Sequence, residues 1–149
     1  MADRAADVAG FLKASGWGVA QRRHLAGDAS DRRYERLTLG AATAVLMDNP
    51  PGGADDPAAF SRMARHLRAL GLSAPTVLAE DLARGFLLLE DLGDALYARL
   101  LAADPVREAT LYTPAVDVLL HLQAAPAPKG LPDLSAEDWA GAAGFAAAG

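Results

Sequence analysis

Gly85-Phe86-Leu87-Leu88-Leu89-Glu90-Asp91-Leu92-Gly93-Asp94 decides how the rest of the chain is read. Phe86 to Leu89 form an unbroken apolar run that stands between turn residues and leads directly into two carboxylates. A run this short predicts a strand buried on both faces, since a buried helix needs a longer apolar segment. The strand leaves through Glu90-Asp91-Leu92-Gly93, and Asp94 is placed to cap a helix carrying Leu96, Leu100 and Leu101. A polar connector at a sheet edge leaves backbone donors and acceptors free to meet a flat ligand. On these residues alone, the plainer reading of a structural strand–loop–helix junction takes precedence.

Upstream, Asp3 can cap a helix reaching about Ser15, with Val8, Phe11 and Leu12 on one face and Gly16 ending it. Trp17 to Leu25, Tyr34 to Leu39 and Thr43 to Asp48 are expected to be strands. Their connections are too short for crossovers, which predicts an antiparallel meander. Asn49-Pro50-Pro51-Gly52-Gly53 cannot be regular structure. Asp55 or Asp56 with Pro57 then opens an amphipathic helix whose stripe is Phe60, Met63, Ala64, Leu67 and Leu70, with Gly71 closing it. Thr76 to Ala79 is the fourth strand, and Phe86 to Leu89 the fifth.

Downstream the chain turns helical. Asp104-Pro105 starts a helix, and Thr113-Pro114 either kinks it or begins another. Ala115, Val118 and Leu122 line one face. Ala125 to Gly130 reads as an extended linker, and Ser135 as the N-cap of a further helix. Ala142 to Gly149 is almost entirely Ala and Gly, and the expectation there is a chain truncated as a helix begins.

Composition narrows the function classes. The 149 residues suffice for a real core, and with no cysteine there is no disulfide framework or thiolate metal site. Three scattered histidines, His24, His66 and His121, do not assemble a zinc set. A net charge of −5 argues against nucleic acid as partner. No apolar run approaches a membrane span of about 18 residues and no leader pattern opens the chain, so a cytoplasmic protein with no membrane partner is expected.

The resulting order is a helix, three antiparallel strands, one amphipathic helix, two strands, a connector and then helices only. This is an α+β layout of a protein-kinase-like N-terminal lobe: an antiparallel sheet of about five strands with one main helix over residues 1–92, a hinge at 90–93, and the start of a helical C-terminal lobe over 94–149. Gly27-Asp-Ala-Ser-Asp-Arg-Arg-Tyr, Ala44-Val-Leu-Met-Asp-Asn-Pro-Pro and the Gly85 to Asp94 stretch resemble the aminoglycoside phosphotransferase and choline kinase superfamily. Within it they look most like the bacterial anomeric sugar kinases acting on N-acetylmuramate and N-acetylglucosamine in cell-wall recycling. The resemblance runs from about Val8 to Gln123.

The resemblance implies an ATP site. The Glu90 carbonyl and Leu92 amide, with Asp91 between them, would face the adenine edge, and Leu89 would close the back of the pocket. An adenine needs one acceptor and one donor at fixed spacing between apolar walls, which an extended backbone supplies. The loop from Gly27 through Ser30 to Arg32 and Arg33 would cover the triphosphate, where amides and guanidinium groups suit phosphate oxygens. It holds a single glycine, and the chain has neither GxGxxG nor a Walker A pattern, so Arg32 and Arg33 are read equally as solvated loop residues. The third strand carries Met47 where kinases place a phosphate-pairing lysine, and the Pro57 to Leu70 helix has no glutamate to pair with one. Arginines are the expected substitutes. Asp48 is read as a residue orienting the following loop or as a turn and capping residue.

The HGD-x-x-x-x-N loop and later Asp that would supply the catalytic base and the Mg²⁺ ligands do not occur in the sequence. His121 lacks a following Gly-Asp and is read as a packing or surface histidine. The expected function is thus the ATP-binding part of a sugar or other small-molecule kinase, with nucleotide and sugar as partners and residues 1–149 inactive alone. The rivals are a non-catalytic kinase-like module that binds a nucleotide or partner, and a helical interaction domain docking through the Phe60 to Leu70 face.

Overall fold

A computed structural model describes residues 3–25, 32–52, 56–127 and 129. Its elements follow in the order α1 (Arg4–Ala14), β1 (Gln21–Leu25), β2 (Arg33–Leu39), β3 (Ala42–Asp48), α2 (Pro57–Ala69), β4 (Val77–Asp81), β5 (Phe86–Glu90), α3 (Tyr97–Ala103), a 3₁₀ turn (Pro105–Arg107) and α4 (Glu108–Ala124). The strands form one antiparallel sheet in the order β1-β2-β3-β5-β4. β5 is thereby an inner strand. It pairs with β3 from Ala44↔Glu90 to Asp48↔Phe86, and with β4 on its other side.

Burial on both faces of β5 follows from a helix on each side of the sheet. Phe86 and Leu88 point toward α1, where they join Val8, Phe11, Leu12, Leu37, Ala44 and Leu46. The Phe11 and Phe86 rings stack with centroids 5.4 Å apart. Leu87 and Leu89 face the other way and pack with Met47, Tyr34, Val45, Val77 and Phe60 of α2. Each such fully buried Leu or Phe contributes about 1.5–3 kcal/mol over an exposed one, so this strand anchors both layers.

α1 is also pinned by charge. Arg4 Nε donates to Asp48 Oδ1 at 3.0 Å, its Nη1 donates to the Arg84 carbonyl at 2.7 Å, and its guanidinium lies 4.1 Å from the Phe86 ring centre. Asp48 therefore ties β3 to α1 rather than shaping the loop after it. Beside it, the Asn49 amide donates to the Gly85 carbonyl at 2.9 Å, and a Cβ on Gly85 would fall 1.8 Å from the Asn49 carbonyl oxygen. With φ at +75°, Gly85 is held to glycine by conformation and by space.

Several expected boundaries move. The first strand begins at Gln21, not Trp17, because Gly16 turns the chain at φ +82° and Trp17 and Ala20 close that turn, the Trp17 amide donating to Leu12. The fourth strand runs to Asp81, so Glu80 belongs to the sheet. Asp56 caps α2 through the Ala58 amide at 2.8 Å. On α2 the buried positions are Ser61 and Ala64, whereas Met63 is exposed, because Ser61 donates to Glu80 Oε2 at 2.7 Å and turns the helix toward β4. Arg65 meets the same Glu80 oxygen at 2.9 Å. Pro114 sits inside a continuous α4 rather than dividing it. Ser135 and the Ala/Gly tail lie outside the described residues.

Candidate functional site

β5 delivers Glu90, Asp91 and Leu92 to the mouth of a cleft of about 340 Å³. Its apolar walls are Leu25 of β1, Val45 of β3 and Leu89 of β5, with Pro75 alongside. Glu90 is held in place from β4's side. The Thr76 amide and hydroxyl donate to its Oε2 at 2.9 and 2.6 Å, and the Glu90 amide donates to the Thr76 carbonyl at 2.8 Å. These Thr76 bonds, with Arg68 nearby at 3.6 Å, hold the Glu90 carboxyl below its usual range. Leu92 is 58% exposed, and its amide has no acceptor among the described residues. The connector is thus rigid at Glu90 and offers a backbone donor two residues later.

Arg36 of β2 makes the other half of the site, and it was not singled out from sequence. Its Nη1 donates to Asp94 Oδ2 at 2.7 Å, and its Nη2 donates to Asp91 Oδ1 at 2.9 Å and Asp94 Oδ1 at 3.0 Å. Nε lies 2.7 Å from Asp91 Oδ2, a charge contact off the hydrogen-bond axis. The Arg36 and Asp91 side chains are only 12% and 7% exposed, while Asp94 is half exposed. Burial pushes the Asp91 carboxyl up, but the Gly93 amide, Arg36 and Thr43 outweigh it and hold the group below its usual range. Hydrogen bonding to Arg36 holds Asp94 low as well. Asp94 therefore does not cap the next helix: α3 starts at Tyr97, after Leu96, without a side-chain cap. A guanidinium across the connector is the stronger partner for a carboxylate than a helix N-terminus one turn on.

The other residues expected at the site fall in different places. Leu89 lines the cleft. Met47 is fully buried among Leu87, Leu89 and Phe60, one step along β3 from the cleft wall at Val45. Met47 thus belongs to the apolar cluster against which Phe60 of α2 packs. Arg33 begins β2 exposed to solvent, opposite Asp48, and Arg32 before it is half-buried and engaged. Neither touches the cleft, which lies about 10 Å further along β2 at Arg36. Gly27 and Ser30 lie outside the described residues. Residues Leu25, Arg36 and Val45 were missed; a period-2 count from buried Leu37 places Arg36 on the face shared with Val45, but its partners are 55 and 58 positions away.

His121 of α4, an exposed residue, donates from Nε2 to the Leu70 carbonyl at 3.1 Å and so joins the helical segment to the end of α2. Leu96, Val106, Val116, Leu119 and Leu120 of that segment are exposed. No helix among the described residues is long and apolar enough to cross a membrane.

Residues 21–148 match the model of the phosphotransferase enzyme family. Three similar proteins carry the name N-acetylmuramate/N-acetylglucosamine kinase. That of Caulobacter vibrioides is 43% identical, over 87% of this chain and 42% of its own length. That of Pseudomonas aeruginosa is 40% identical, over 74% of this chain and 32% of its own. That of Pseudomonas putida is 37% identical, over 70% and 30%. The chain thus spans less than half the length of these relatives. With a five-stranded antiparallel sheet, a helix on each face and a connector leading into helices, this chain belongs to the phosphotransferase enzyme family.

Proposed function

We propose that this chain forms the nucleotide-binding part of a cytoplasmic, ATP-dependent kinase that phosphorylates an amino sugar, N-acetylmuramate or N-acetylglucosamine, in cell-wall recycling. The observation that carries the reading is the cleft at the connector, where the Leu92 amide stands uncommitted among the described residues beside the apolar walls of Leu25, Val45 and Leu89. Its volume falls within the range of small-ligand pockets. The names of the relatives support the acceptor class.

In this reading the adenine lies between those walls, accepting from the Leu92 amide and donating to the Glu90 carbonyl. Leu89 closes the pocket's back, with Met47 packed behind it in the core. The phosphates run along the sheet toward Gly27, Ser30, Arg32 and Arg33, and the two guanidinium groups take the load that a third-strand lysine would otherwise carry. The reaction moves the γ-phosphoryl group to a sugar hydroxyl, breaking the bond to the β-phosphate oxygen and releasing ADP and a proton. Mg²⁺, held by residues of the remaining protein, would neutralise phosphate charge. This chain's contribution is to fix the base and so align the phosphates.

Leu92→Pro in the intact protein tests the hinge. It removes one donor, a loss of about 1–3 kcal/mol and so about tenfold in ATP affinity. Calorimetry finding undiminished ATP affinity in a folded Leu92→Pro protein overturns the assignment.

A further inference from the structure

We propose that Arg36 is the stacking platform for the nucleobase, a flat roof whose charge is more than balanced by Asp91 and Asp94. The inference rests on the nucleotide reading above and adds a residue to it. Every guanidinium nitrogen of Arg36 lies within 3.0 Å of a carboxylate oxygen. Three of its five N–H donors are bonded to the connector and Nε is buried against Asp91, so the broadest surface it can offer a ligand is its π face. That side chain lines the same cleft as Val45 and Leu89. In the β2–β3 register Arg36 stands directly opposite Val45, so the guanidinium covers the cleft where an apolar side chain would otherwise do so.

A planar guanidinium stacks well on an aromatic ring, and holding it rigid lowers the entropy lost when a base arrives. One guanidinium against two carboxylates leaves the cluster with a net negative charge, so it has no attraction to offer phosphate. It therefore favours the base and contributes little to the phosphates. The alternative role is a brace: Arg36 would matter only because it fixes Asp91 and Asp94, and any cation in its place would serve.

The two roles separate by substitution in the intact protein. Arg36→Lys keeps the charge and loses the plane; Arg36→Tyr keeps a plane and loses the charge. In the Tyr variant Asp91 keeps the Gly93 amide at 3.0 Å and Asp94 is half exposed, but both lose their cation, so its binding is read only where the melt shows it folded. Binding of adenosine, ATP and inorganic tripolyphosphate is measured by calorimetry, with thermal melts to confirm folding. Stacking predicts that Arg36→Lys weakens adenosine and ATP about tenfold while tripolyphosphate is unchanged, and that Arg36→Tyr recovers most of the adenosine affinity. Adenosine affinity that survives in Arg36→Lys, or that is lost more in Arg36→Tyr than in Arg36→Lys, overturns the proposal and leaves the nucleotide reading standing. A wild-type protein that binds neither adenosine nor ATP overturns both.

Discussion

Replacing Gly85 by alanine concentrates two separable costs at the entry to the connector strand. The first is conformational. At φ +75° an L-residue is disfavoured by about 1–2 kcal/mol. The second is steric: the new Cβ falls 1.8 Å from the Asn49 carbonyl oxygen, a backbone atom that can move only with the strand end carrying it. Relieving that overlap separates Asn49 from Gly85 and breaks the 2.9 Å hydrogen bond between them, adding about 1 kcal/mol and leaving a nearly buried residue mispaired. The two together come to about 2–3 kcal/mol. Gly40 supplies the internal control, since it too has positive φ, +60°, but nothing lies within 4 Å of its Cβ position. Gly40→Ala should therefore cost only the conformational part. Urea unfolding followed by circular dichroism gives both values, provided the slope is unchanged between variants. If Gly85→Ala destabilises no more than Gly40→Ala, the close approach at Asn49 does not constrain the strand and the reasoning fails.

Two further outcomes are expected. Changing Arg32 and Arg33 together to alanine in the intact protein should raise the Michaelis constant for ATP or lower turnover while adenosine affinity stays nearly constant; equal effects on both ligands would indicate misfolding, and no effect would return the pair to a solvated-loop role. Asp91, Asp94, Glu90 and Glu80 are all held below their ordinary pKa by partners, so the unfolded chain takes up protons first as pH falls. Stability should be level near neutrality and decline from about pH 4.5 downward. Asp94→Asn should flatten that decline, and melting temperatures independent of pH between 6 and 3 would contradict it.

The sequence by itself determined the element order, the antiparallel meander, and a fifth strand buried on both faces. These rest on local signals: strand-length apolar runs, turn residues between them, and a helical stripe opened by Asp55 or Asp56 with Pro57. It also determined the connector, because apolar residues running into carboxylates change character within a few positions. Boundaries at Gln21 and Asp81 and the rotation of α2 were not legible, since a Ser61–Glu80 hydrogen bond outweighed the apolar stripe that would have buried Met63. Likewise, Asp94 looked like a cap because capping is the nearest local use for an aspartate before a helix. Only the tertiary structure brought Arg36 across to it, and placed Arg36 over Val45. Local pattern cannot rank a partner 58 residues away against one in the next turn. The fold decides that, by bringing a buried guanidinium to two carboxylates whose charge would otherwise be left without a partner at the mouth of the cleft.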